Sequence, residues 1–243
     1  MIHASRKSKI FFLIFCISLF SLLSCRPDNA STIAITHVTV IDPANSTIHP
    51  DFTVIVTQSR LSAVGPSVST AIPPDTKIVD AVGKFMIPGL VDMHLHLLGA
   101  GEPSGSRKFI LPLLIANGIT TVRDMGGDVQ QLKQIRKEID AGKQIGPQIF
   151  FTGPYLDGDP PSFQPSIVVH NEAEANDALK QLKSEGIDFI KVQSRLLPEG
   201  YFAIARASHA NGMRYVGHVP DSVSASAASD AGQASIEHLT GFF

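Results

Sequence analysis

The chain has 243 residues, 44% of them hydrophobic and 17% charged, with a formal net charge of −2. That balance supports a large globular core and argues against nucleic acid as a partner, since there is no basic excess. The absence of tryptophan and the three tyrosines leave little aromatic surface for stacking on bases or sugars.

In chain order, the first 25 residues read as a targeting segment. Arg6, Lys7 and Lys9 precede the apolar run Ile10 to Leu23, broken only by Ser18 and Ser21. The run falls short of the roughly 20 residues that a membrane-spanning helix needs but suits a signal-peptide core. Leu22-Leu23-Ser24-Cys25 resembles the lipobox of bacterial lipoproteins. That resemblance implies cleavage before Cys25, lipid attachment to its sulfur and a place in the bacterial cell envelope; an ordinary secretory signal with an incidental Cys25 is the other reading. Removal of Cys16 with the signal leaves Cys25 alone, which excludes a disulfide framework.

Residues 32–85 read as β-rich. Strands are expected at Ile33–Ile41, Phe52–Val56, Leu61–Val64 and Lys77–Val82, with a turn at Asp42-Pro43-Ala44-Asn45. Strands this short and close suggest a small sheet or sandwich. From residue 86 onward the rhythm becomes strand then helix. Strands are expected at Gly89–His96, Thr120–Asp124, Gln148–Thr152, Phe189–Val192, Arg214–Val219 and Ser235–Leu239. Between them lie helical patterns at Lys108–Asn117, Val129–Ala141, Glu172–Glu185, Glu199–Asn211 and Ser222–Ala231. Each stops at a glycine: Gly118, Gly142, Gly186, Gly212 and Gly232. The pattern predicts an α/β fold, the first six units of a (β/α)8 TIM-type barrel that would need about 250 residues in full. A doubly wound sheet is the alternative, but GAGEPSG after His96 does not match a GxGxxG phosphate loop.

In a parallel barrel the C-terminal ends of the strands converge on one face. His94 and His96 close the first expected strand, two positions apart and therefore on one side of it. Alone, such a pair reads more readily as satisfied histidines on a half-buried strand, and only the rest of the chain shifts the reading toward a metal. Lys191 lies near the end of the fourth strand, His218 of the fifth and His238 of the sixth; His3, His37, His49, His170 and His209 lie elsewhere. His238 follows Glu237, and strand alternation sends these neighbours to opposite faces, so only one can face a site. Asp92 shares a face with His94 and is a candidate to hydrogen-bond a ligand. Arg123 and Asp124 read mainly as parts of an internal ion pair. Tyr155, Asp157 and Asp159 fall in a Gly/Pro-rich loop that could form the site's rim.

PGLVDMHLH at 88–96, TTVRDMGG at 120–127, FIKV at 189–192, YVGHV at 215–219 and SIEHLTG at 235–241 resemble the amidohydrolase superfamily, specifically its imidazolonepropionase-like and prolidase-like members. The resemblance runs from about residue 33, taking in that family's accessory β-sandwich. It implies two divalent metal ions, with zinc the default for such donors. His94 and His96 would bind the more buried ion, His218 and His238 the more exposed one, and Lys191 would bridge both as a carbamate derived from carbon dioxide. It implies hydrolysis of an amide or related C–N bond in a small-molecule substrate such as a dipeptide or cyclic amide.

The family also uses an aspartate at the end of an eighth strand as general acid/base, and the sequence as given stops before such a strand. The expectation is therefore a truncated, impaired chain whose open edges favour instability or oligomers. A mononuclear deaminase is the enzyme alternative, which Lys191 argues against. A catalytically dead envelope lipoprotein that binds metal or a partner is the alternative from another class.

Overall fold

The computed structural model of the chain describes residues 32–98 and 107–242. The signal-like segment, Cys25 and the Gly-rich loop after Leu98 lie outside the described residues. Among the described residues no helix is long and apolar enough to cross a membrane. The chain divides into two units at the Pro88–Gly89 bond.

The first unit is a mixed five-stranded sheet. β1 (Thr32–Asp42), β2 (Thr47–Thr57) and β3 (Arg60–Pro66) run antiparallel in succession, while β4 (Lys77–Asp80) and β5 (Phe85–Met86) pair parallel to β1. Alternation builds β1: Ala34, Thr36 and Val38 are buried on one face. The expected turn forms because the Asp42 carboxylate accepts from the Ala44 and Asn45 amides at 3.0 and 3.3 Å and from the Asn45 side chain at 2.7 Å. Its core is small, with Val38, Val54 and Ala81 at its centre.

The second unit alternates strand and helix. β6 (Leu90–Leu95), β7 (Ile119–Asp124) and β8 (Gln148–Phe151) form one parallel sheet. β9 (Tyr155–Asp157), β10 (Ser166–Val168), β11 (Ile190–Val192) and β12 (Tyr215–Gly217) form another, ordered β10-β9-β11-β12 and also parallel. β8 and β9 are one run of chain bent at Gly153, whose φ of +71° suits only glycine comfortably. The first half of that run pairs with β7 and the second with β11.

Helices α1 (Arg107–Ala116), α2 (Val129–Asp140), α3 (Glu172–Ser184), α4 (Pro198–Ala210) and α5 (Ala225–Asp230) intervene. All five predicted helix-ending glycines adopt positive φ, from +64° to +86°. Leu111, Leu132, Phe151, Leu179, Ile190 and Tyr201 are among the fully buried residues between strands and helices. The architecture is an incomplete TIM-type barrel of α/β class: among the described residues the strands of this unit pair in parallel within two sheets, and the ring is not closed.

Two expectations need correction. Ser235–Leu239 is not a strand: Ile236 makes a single parallel bridge to Gly217, and Glu237–Leu239 then turns as a 3-10 helix with His238 and Leu239 at φ 57° and 56°. Period-two alternation ends there, so it cannot separate Glu237 from His238. Tyr155 and Asp157 belong to β9 rather than to a loop; only Asp159 is in irregular chain, and it is exposed. Pro154 and Gly158 on either side of so short a strand hid it from a pattern reading.

Candidate metal centre

The ends of β6 and β12, the middle of β11 and the 3-10 turn bring the predicted residues to one place. A cavity of ≈ 310 Å³ is lined by His94, His96, Lys191, His218 and His238, together with Tyr155, Phe163 and the two glutamines Gln164 and Gln193. The imidazoles follow one another across it. His94 and His96 face each other through their Nε2 atoms at 3.3 Å. Ring centroids of His94 and His238 are 4.5 Å apart, and those of His238 and His218 5.2 Å.

Gly217 makes room for this arrangement by backbone approach. A Cβ there would lie 2.2 Å from the Val192 carbonyl oxygen and 3.0 Å from Lys191 Cδ. β12 can thus close on β11 only with glycine at that position, and His218 follows directly.

Burial favours the neutral form of His94, His96 and His218. Burial lowers His94 and His96 below the ordinary imidazole value, and for His94 it outweighs the bond to Glu237. Burial, reinforced by the Lys191 charge and neighbouring histidines, brings His218 to about 4. Lys191 is 1% exposed, and among the described residues its Nζ has no hydrogen bond or ion pair. Burial pulls it to about 8, partly offset by Glu237. The site therefore holds ring nitrogens with free lone pairs and an amine easily neutralised, the donor chemistry a divalent cation takes.

The fit to a metal can be tested on distance. Two nitrogens bound about 2.0–2.1 Å from one tetrahedral ion lie about 3.3–3.4 Å apart, and His94 and His96 present theirs at 3.3 Å. Among the described residues no three His, Cys, Asp or Glu side chains already close into a set that could hold an ion. The pair fits as it stands; His238 and His218 line the same cavity without completing the cage.

The remaining candidates are placed as follows. Asp92 accepts from the His94 backbone amide at 3.0 Å, so it touches the main chain of that residue rather than its ring. Arg123 does form a buried ion pair, but with Glu237 at 2.7 Å. Asp124, fully buried, accepts from the Leu97 and Gly126 amides at 2.7 and 3.1 Å, and burial raises it to about 6 despite these bonds. It thereby anchors the chain just past His96. Tyr155 lines the cavity. Asp157 lies behind it, accepting from the Gly158, Ser162 and Arg195 amides at 2.9, 2.6 and 2.9 Å and so pinning the loop that carries Phe163, Gln164 and Pro165.

Two residues were missed from sequence. Glu237 Oε2 lies 2.7 Å from His94 Nδ1, and Ser194 Oγ lies 2.8 Å from His218 Nδ1. Both the carboxylate and the histidine of Glu237-His238 reach inward, which strand alternation had ruled out. A carboxylate adjoining a candidate ligand was the signal available for Glu237; three positions beyond Lys191, Ser194 carried none.

A family profile described as "Amidohydrolase family" matches residues 85–243. The chain is 35% identical over 74 residues to an adenine deaminase of Paracoccus denitrificans, covering 30% of this chain and 12% of that enzyme. It is 44% identical over 61 residues to an imidazolonepropionase of Myxococcus xanthus, covering 24% and 14% respectively. A crystal structure from Bifidobacterium longum, described as a prolidase candidate, superposes with a TM-score of 0.67 at 27% identity, over 79% of this chain and 51% of that one. The chain thus spans about half the length of that solved structure, and the aligned stretches are a small part of the curated relatives.

Proposed function

The chain belongs to the amidohydrolase family, and from that premise we propose that it serves metal-dependent hydrolysis of a C–N bond, with His94 and His96 holding one divalent cation, His218 and His238 a second, and Lys191 bridging them as a carbamate. Zinc is the default for this donor set. Bound there, the cations would supply Lewis acidity and make water more acidic.

The observation that carries this reading is Lys191: buried to 1% exposure, unpartnered among the described residues, in a cavity shared with four imidazoles. A lysine kept there as a plain ammonium is disfavoured by burial, an effect that the Glu237 carboxylate only partly offsets. As a neutral amine it attacks carbon dioxide: the N–C bond forms, one C=O π pair moves to oxygen, and a proton leaves nitrogen. The anionic product would give Lys191 carboxylate-type oxygens able to serve as ligands to divalent cations.

Other residues shape what can bind. Tyr155, Phe163, Pro165 and Leu98 give the cavity an apolar wall, and Gln164 and Gln193 place neutral amides beside it. That lining supports amide-bearing small molecules, dipeptides or cyclic amides, of which the prolidase-like and imidazolonepropionase likenesses are in keeping. Lys191 also supports this reading over a mononuclear deaminase, which has no use for a bridging lysine. The competing envelope-lipoprotein reading shares the metal and lacks the turnover. The Arg6–Lys9 charges, the Ile10–Leu23 run and Cys25 support export and a lipid tether; the mass of the mature protein, with a lipid on Cys25 or without, tests it.

The hydrolase reading is tested with carbon-13 bicarbonate and zinc. The expected result is a protein carbamate signal in the carbon spectrum that is absent from Lys191→Ala, and cleavage of at least one compound in an amide panel. Zinc uptake with neither carbamate nor cleavage would favour the binding protein.

A further inference from the structure

Behind the facing nitrogens of His94 and His96 stands a polar network that the proposed chemistry does not itself consume. Glu237 is its hub. Its Oε2 lies 2.7 Å from His94 Nδ1, while its Oε1 accepts from Arg123 Nη2 at 2.7 Å and from Ser235 Oγ at 2.6 Å. Arg123 Nε also donates to the Met93 carbonyl at 2.6 Å, one residue before His94, and its Nη1 reaches Ser235 Oγ at 3.2 Å. Glu237 and Arg123 are both buried. The guanidinium thus clamps the carboxylate on one side and the histidine's own strand on the other.

A carboxylate that is already paired with a guanidinium accepts and does not donate. The proton of the short contact must therefore belong to His94 Nδ1, which leaves Nε2 bare, and Nε2 is the atom 3.3 Å from His96. The other half of the site differs. His218 Nδ1 meets the Ser194 hydroxyl at 2.8 Å, a neutral group able to donate or accept, which does not dictate the ring's tautomer. An anionic partner on the far nitrogen makes an imidazole a stronger donor than a neutral partner does.

We propose that Glu237 is a positioning residue: it fixes His94 as the Nδ1–H tautomer with Nε2 turned toward His96, and so makes the His94–His96 half of the site the tighter cation holder of the two. This rests on the metal reading above. It also gives a reason for the backbone at the 3-10 turn. The left-handed conformation of His238, φ 57°, follows directly after Glu237, so a single turn sends a carboxylate behind the first pair and an imidazole to the cavity.

The test has a part that needs no variant. Long-range proton–nitrogen correlation of the histidine rings in the metal-free chain is expected to show His94 protonated at Nδ1. Zinc titration against a competing chelator is then expected to show two unequal sites. Glu237→Gln should weaken the tighter site about 10- to 100-fold, whereas Ser194→Ala should move the weaker site alone. A His94 found protonated at Nε2, or a tighter site unchanged in Glu237→Gln, overturns the inference while zinc binding by the unaltered chain keeps the metal reading. No zinc bound by the unaltered chain overturns both, so the two failures are told apart.

Discussion

A lysine buried to 1% exposure holds its proton at a cost: from an ordinary value of 10.5, burial brings Lys191 to about 8. At neutral pH the charged form is disfavoured in the folded chain by about 3 kcal/mol, since one pKa unit corresponds to about 1.4 kcal/mol. Replacing it with methionine, of similar length and no charge, should therefore raise the denaturant midpoint of the metal-free chain while abolishing any carbamate signal. A loss of stability in Lys191→Met would show that the amine has a structural partner. The histidines set a pH dependence of known sign. An imidazole whose folded value is depressed leaves stability intact above its ordinary value and withdraws it as pH falls toward the folded one. For His218 that window runs from about 6.5 to about 4, and His94 and His96 are shifted in the same direction. Asp124 works oppositely: raised from 3.8 to about 6, it favours folding as pH falls through that interval. Three groups against one predict that the melting temperature of the metal-free chain falls between about pH 7 and about pH 5; a rise would mean that Asp124 dominates.

At the scale of elements, the site depends on two backbone devices. Gly217, at φ +135° and with the Val192 carbonyl where a Cβ would be, lets β12 seat against β11. Gly217→Ala should cost about 1–3 kcal/mol through backbone strain alone, with zinc binding impaired because Lys191 and His218 flank the displaced pair. Asp157 holds the aromatic rim through three backbone amides. Asp157→Ala should cost about 1.5–3 kcal/mol for each bond to the charged group that is not replaced by water, read as faster proteolysis within 158–165; unchanged cleavage there would contradict the role. These elements were legible in the sequence to different degrees. Glycines ending helices showed plainly, because a left-handed residue after the last turn is a local requirement that only glycine meets cheaply. His94 and His96 showed because side-chain alternation at the end of β6, carried one residue past it, is also local. Ser235–Leu239 misled because its apolar spacing imitates a strand, while its backbone answers to bonds with Arg123 and His94, more than a hundred residues away. Ser194 was invisible for the same reason: only the close approach of β11 and β12 gives it a partner.

On the scale of the whole second unit, β6 pairs with β7 alone among the described strands, and β12 is followed by a single bridge. Leu90, Val91 and Met93 along β6 are about half exposed, at 50%, 52% and 52%. An unpaired parallel edge with apolar side chains invites another strand, so this 243-residue chain on its own is expected to self-associate in sedimentation experiments, and Met93→Lys to reduce it. A sharp monomer boundary at micromolar concentration would contradict that. The account as a whole turns on whether the cavity gathers cations at all. Crystals grown with zinc and bicarbonate, with diffraction recorded at the zinc absorption edge, test this most directly. Two anomalous peaks about 3.5–4 Å apart, one beside His94 and His96 and one beside His218 and His238 with Lys191 between, are the predicted result. An empty cavity, or zinc found only at surface histidines such as His37 or His49, would contradict it.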